Sequence, residues 1–244
     1  MHLVIDLQGA QGDNRARGIG RYSRELARAM VAAPQGHDIT IALNANLETQ
    51  ALRSVFANIA PIHTWHAPPT TAASNPALAP RRRLAEVMRA EALAALRPDL
   101  LHVSSLFEGW PDDAVTTWPA TRARPPIAAT GYDLIPLIRR AEYLNGVWKE
   151  SGLPTWYLRA LHELRLADAV LAISDSSRGE VITHLGHPPE AVAAIGTGIG
   201  PEFHPPGHTP AQRDALLHRL GLRPDSILFL GGGDLRKNEP GLVR

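Results

Sequence analysis

The sequence predicts an α/β fold, a doubly wound Rossmann-like parallel sheet followed by the first strand of a truncated second domain. Three observations carry this. Short apolar runs recur along the 244 residues. Helical patterns separate them, and strands that alternate with helices build parallel sheets. Most of the runs are apolar on both faces, as strands are when helices cover each side of a sheet.

In order, the predicted strands are HLVIDL (2–7), DITIALN (38–44), PIHTW (61–65), LLHVSS (100–105), PIAATGYD (126–133), AVLAIS (169–174), VAAIGTG (192–198) and SILFLGGG (226–233). The first helix places Tyr22, Leu26, Met30 and Ala33 on one face, with Arg21, Arg24, Glu25 and Arg28 opposite. A second helix spans 81–97 and stops before Pro98. A third spans 154–167, with Pro154 suited to its first turn. A fourth is capped by Ser174 or Asp175 and ended by Gly186. The segment 66–80 reads as a mobile loop, and 201–213 reads as a linker before a short helix. One domain is therefore expected over 1–205, with 206–244 as the linker and the start of a second.

Composition bounds the function. A 44% hydrophobic content is enough for a sizeable core, and a net charge of +1 gives no case for nucleic-acid binding. With no cysteine there are no disulfides or thiolate metal sites, which fits a reducing cytoplasm. The N-terminus lacks a basic region, and Asp6 interrupts its apolar run, so it is not a signal peptide. No apolar run is long enough to cross a membrane. His63 and His66 have no nearby carboxylates and form no metal pattern. Neither a serine-hydrolase elbow nor a phosphate-loop lysine motif occurs.

Two glycine loops carry the chemistry. In RGIGRYS, Gly18 and Gly20 let backbone N–H groups approach an anion, and Arg21 adds charge at a helix start. As a dinucleotide fingerprint it fails. Ser23 replaces the third glycine, and the loop follows its strand by about ten residues rather than directly. The alternative is a turn with a basic helix start. In LFLGGGDLRKN, Gly232 leaves room for a ligand, and Arg236 and Lys237 match a diphosphate. There the alternative is a tight turn with solvated charges. Arg178 stands in a first helical turn, where the dipole disfavours a cation unless an anion is near, which makes it a weaker phosphate candidate.

Together with IDLQGAQ, HVSSLFEG, TGYDLIPLI, AISDSSRGEVI and IGTGIGPEFHP, these loops run in order along the chain. The set resembles the N-terminal half of a GT-B-fold retaining glycosyltransferase of family 4, within it the bacterial mannosyltransferases of surface-polysaccharide assembly. The resemblance implies transfer of a sugar from a nucleotide-diphosphate donor, mannose from GDP-mannose first, to a glycan or lipid-linked acceptor. It implies no metal and no other cofactor, because basic side chains and helix N-termini take the metal's role. Asp133 is carried over as an orienting acceptor, with capping of the following turn as the alternative. Tyr132 stands where many members have histidine and cannot copy its chemistry, so it is carried over as a cleft residue. Ser104, Ser105 and Glu108 are candidates for the acceptor pocket, with ordinary loop capping as the alternative.

Arg81, Arg82, Arg83, Arg122 and Arg124, with Trp110 and Trp118, would suit a peripheral contact at the inner face of the cytoplasmic membrane; solvated charge is the plainer reading. The family's donor-binding half lies outside these residues, so the chain alone is expected to be inactive. Two rivals remain. A non-enzymatic glycan- or nucleotide-binding module is opposed by the stop just after GGGDLRKN. A Rossmann oxidoreductase or epimerase is opposed by the absence of an acidic residue closing the second strand, which ends IALN.

Overall fold

The computed structural model describes residues 1–120, 122–200, 203, 207, 209–229 and 235–243, in two compact units, Met1–Gly198 and Ile199–Arg244. Gly232 lies outside the described residues.

The first unit runs β1 (His2–Asp6), α1 (Gly18–Ala32), β2 (Asp38–Asn44), α2 (Gln50–Phe56), β3 (Ile62–Trp65), α3 (Ala79–Ala95), β4 (Leu100–Val103), β5 (Ile127–Gly131), α4 (Ile135–Ile138), α5 (Leu153–Arg165), β6 (Ala169–Ala172), α6 (Asp175–Glu180) and β7 (Val192–Ala194). Among the described residues the seven strands form one parallel sheet, ordered β3-β2-β1-β4-β5-β6-β7. The order reverses between β1 and β4, and in such sheets ligands gather beyond the carboxyl ends at that point.

Side chains alternate across each strand, so both faces must be covered. Leu3 and Ile5 of β1 pack with Ile41, Leu43, Ala27 and Phe56 on one face. Val4 packs with Ala42, Leu101, Val103 and Leu93 on the other. The face of α1 that is fully buried is small, consisting of Gly20, Ser23 and Ala27. Tyr22, Leu26 and Met30 flank it and are only half-buried. The helix therefore lies close to the sheet.

Four expectations are corrected. The strand expected at 192–198 stops at Ala194, and Gly196 has φ +70°, outside strand geometry. In the second unit, residues 226–229 carry no regular structure, and Ile227 and Leu228 are 81% and 85% exposed. A strand without a hydrogen-bonded neighbour has nothing to hold it, and among the described residues of that unit there is no other strand. The segment 66–80 is not loose. Asp113 accepts from the Thr70 and Thr71 N–H groups at 2.9 and 2.6 Å, and Thr71 is fully buried. Nor are the arginines and tryptophans all at the surface. Arg82 donates to the Thr71, Gly109 and Ala114 carbonyls, and Trp118 is in the core beneath Arg89.

The polar face of α3 is turned inward because the core offers it partners. Arg89 is 1% exposed and donates through Nε to Asp6 of β1 at 2.8 Å. Asp6 also accepts from Gln8 at 3.0 Å. Each partner offsets part of the cost of burying the two charges, although Asp6 Oδ1 is buried without a hydrogen-bond partner.

Candidate functional site

The carboxyl ends of β1 and β4, with the start of α1, bring most of the candidate residues of the first unit together. After β1 the chain makes two 3-10 turns, Gln8–Ala10 and Asp13–Ala16, before α1 begins. These turns account for the spacing that spoiled the dinucleotide fingerprint. Gly9 sits against the β4 end. Its N–H donates to Ser104 Oγ at 3.2 Å, and a Cβ there would fall 2.7 Å from Ser23 Oγ and 2.9 Å from Ser105 Cβ.

The two glycines of RGIGRYS have different work. A Cβ on Gly20 would collide with Arg15 Cα and the Asn14 carbonyl, so Gly20 allows the 3-10 turn to lie on α1. Gly18 faces open space and is exposed. Arg17, the residue before α1, makes no side-chain cap, and the first turn holds no carboxylate. The first N–H groups of the helix thus keep their donors and their partial positive charge, the requirement for binding an anion. Arg21, on the next turn, is half-buried.

Ser104 and Ser105 are each 1% exposed. Ser104 holds the Gly9 N–H, and Ser105 Oγ accepts from Phe107 N at 3.4 Å. Both support the loop rather than line an open surface. Tyr132, at the end of β5, is 8% exposed, and its hydroxyl lies 3.1 Å from Ser23 Oγ and 3.2 Å from the Ser104 carbonyl. Burial pushes this phenol above its ordinary value, so it remains a neutral strut between β5, β4 and α1. Its ring meets Tyr22 edge-on, and the Tyr22 hydroxyl donates to the Gly196 carbonyl at 2.7 Å. Asp133 is exposed, with one carboxylate oxygen accepting from Ile135 N at 3.3 Å.

Glu108 is the group whose charge state is most altered. It is 2% exposed, and burial pushes its carboxyl from 4.5 to about 8. Asn14 donates to both oxygens at 3.2 and 3.1 Å and opposes the shift, as does Ser105, while Asp112 and Asp13 add to it. At neutral pH it is mostly a protonated acid pinning the turn that leads into α1.

The remaining candidates lie elsewhere. Arg178 donates to the Val192 and Pro189 carbonyls at 2.8 and 2.9 Å, so its guanidinium ties α6 to β7. Arg236 and Lys237 stand in one 3-10 turn, Leu235–Lys237, of the second unit. Asn44, where a dinucleotide site would have an acid, is buried and donates to Gln8 and the Asp113 carbonyl. Among the described residues no three His, Cys, Asp or Glu side chains gather as metal ligands would. No described helix is long and apolar enough to cross a membrane.

Sequence reasoning missed a cavity of about 360 Å³ on the other side of the 104–118 loop. Its walls come from the 72–76 loop, the start of α3, Leu106 to Thr117 and the start of α5. The signal was there in part. Trp110 and Trp156 follow a glycine and a Pro-Thr helix start, but their meeting depends on the fold.

Residues 16–203 match the family described as Glycosyltransferase Family 4. The serotype-specific mannosyltransferase WbdA of Escherichia coli is 28% identical over 258 aligned residues, covering 100% of this chain and 29% of that protein. A second match to a WbdA of Escherichia coli is 30% identical and covers 67% of this chain and 20% of that protein. Among solved structures, HepE of Anabaena in complex with UDP and glucose aligns over 90% of this chain and 50% of its own, with 14% identity and a TM-score of 0.49. The chain therefore spans less than a third of the curated relatives it matches.

Proposed function

The chain belongs to glycosyltransferase family 4, and from that premise we propose that it forms the acceptor side of a retaining glycosyltransferase. The donor we propose is GDP-mannose, and the acceptor a glycan or lipid-linked glycan of surface-polysaccharide assembly. The similarity to a mannosyltransferase supports the choice of sugar. A lipid-linked acceptor would bring the enzyme to the inner face of the cytoplasmic membrane.

One observation carries the reading. α1 begins uncapped beside the point where the sheet order reverses, with Gly18 exposed and nothing within 4 Å of where its side chain would be. An anionic leaving diphosphate fits that helix start without a metal, and its stabilisation is the main task of such an enzyme. Asp133, exposed at the end of β5, is proposed to orient a sugar hydroxyl. Tyr132, Ser104 and Ser105 hold the frame beneath. Arg236, Lys237 and Gly232 are proposed as further residues binding the diphosphate. Arg178 would reach it only by giving up its carbonyl partners.

Because the chain spans 29% of its mannosyltransferase relative, the transferring unit is proposed to be longer, and these residues alone are expected to transfer no sugar. The test is transfer by the natural protein from its source cells, with GDP- and UDP-sugars and free or lipid-linked mannosides. Retained anomeric configuration in the product, read by NMR, supports the proposal. No transfer with any pair, or an inverted product, refutes it.

A further inference from the structure

The cavity between α3 and α5 is built, not incidental. The backbone N–H groups of Ala73 and Ser74 donate to the Gly109 and Trp110 carbonyls, each at 2.9 Å, fastening one wall to the other. Gly109 has φ +86° and Gly152 φ +76°, where a side chain would be strained. A Cβ on Gly152 would also stand 3.2 Å from Trp110 Cη2, so that glycine leaves room for the indole beside the start of α5. Trp156 meets it with ring centroids 5.9 Å apart and planes inclined at 54°. Both rings are half-buried and line the cavity.

The polar lining is neutral or already paired. Arg82 is held by three carbonyls and by Glu86, 3.6 Å away. Arg159 donates to both oxygens of buried Glu86 at 2.9 and 3.0 Å, yet its side chain stays 47% exposed. The pair holds Arg159 in place while leaving nearly half of its side chain open. Thr117 and Thr155 add hydroxyls, and Asn75 uses its carbonyl oxygen on Ala77 N, leaving its amide NH₂ to donate.

Two tilted indoles beside fixed donors and hydroxyls suit a ligand with an apolar C–H face and a rim of hydroxyls. A purely apolar ligand would strand the donors. The volume is at the small end of ligand sites, which run from roughly 300 to 1,000 Å³. We propose that this cavity is a pyranose subsite that holds a sugar unit of the acceptor glycan away from the point of transfer. The choice of acceptor as its source rests on the glycosyltransferase reading; binding of a pyranose does not. The 104–118 loop joins the two, with Glu108 and Ser105 on the transfer side and Leu106, Trp110 and Thr117 on the cavity side.

The test titrates the 244-residue chain with α-mannotriose, maltotriose and chitotriose, read by tryptophan fluorescence and by indole ¹⁵N shifts. The expected result is saturable binding of at least one, with shifts at Trp110 and Trp156 and none at buried Trp65. Trp156→Leu should weaken binding at least tenfold. No saturation by any of the three overturns the proposal, as does binding that leaves both indole signals unmoved. If Trp156→Leu unfolds, the wild-type indole shifts decide. In the natural enzyme, Trp156→Leu should raise KM for a trimannoside at least tenfold while transfer to a monosaccharide mannoside keeps its kcat/KM. Equal effects on both acceptors overturn the subsite. Absence of all transfer refutes the function instead and leaves the binding result standing.

Discussion

Replacing Glu108 by glutamine should stabilise the chain at pH 8 and do little at pH 4. The carboxyl is buried, held by Asn14 and faced by Asp112 and Asp13, and its folded value is raised from 4.5 to about 8. Below pH 4.5 the proton is bound in both folded and unfolded chains, so the folded state is not penalised. Between 4.5 and about 8 the unfolded chain loses the proton and the folded chain keeps it, so stability falls as pH rises. At about 1.36 kcal/mol per pH unit, the ceiling on that loss is about 5 kcal/mol across the window. Glutamine keeps the shape and the acceptor for Asn14 but never ionises. The difference in unfolding free energy between Glu108→Gln and wild type, from urea melts at each half pH unit, should climb from near pH 4.5 and level off near pH 8. A difference that stays flat would refute the reasoning, and so would a rise complete by pH 5. In the first case the fold leaves the Glu108 titration unshifted; in the second burial raises it only slightly. A ¹³C titration of the side chain locates the same transition directly.

Three further outcomes follow from the packing. Gly20→Ala should unfold or strongly destabilise the chain because the Arg15–Asn14 backbone occupies the space, whereas Gly18→Ala should melt at or slightly above wild type; equal melting points would contradict the division of labour between the two glycines. Gly9→Ala should cost about 1–3 kcal/mol by crowding Ser23 and Ser105, measured by urea denaturation. Arg89→Met should cost about 3–5 kcal/mol at pH 7 because Asp6 is left charged and buried. Combining it with Asp6→Leu should restore part of that loss, and strict additivity would show that the pair does not interact.

Periodicity alone made the sheet of the first unit legible. All seven of its strands lie where runs of apolar residues were read, because a strand buried on both faces is mostly apolar. The site was legible in part. RGIGRYS announced a helix start open to an anion, but not that one glycine serves packing and the other faces open space. HVSSLFEG announced polar residues at a strand end, but not that they are buried. Arg82, Glu86 and Arg89 recur on one helical face with Ala85 and Leu93, a spacing that marks the inner side of α3. Composition had suggested a solvated basic cluster.

The sequence by itself determined the α/β class, the family and the places of the seven strands and the longer helices of the first unit, since these depend on local periodicity, caps and short motifs. Only the tertiary structure decided which polar groups lose water. That choice depends on partners far along the chain, as when Asp6 meets Arg89 and Glu108 meets Asn14. It also decided that Trp110 and Trp156 face each other across a cavity. Their approach is set by two backbone turns at Gly109 and Gly152 and by the packing of α3 and α5 on one face of the sheet, which no local pattern encodes.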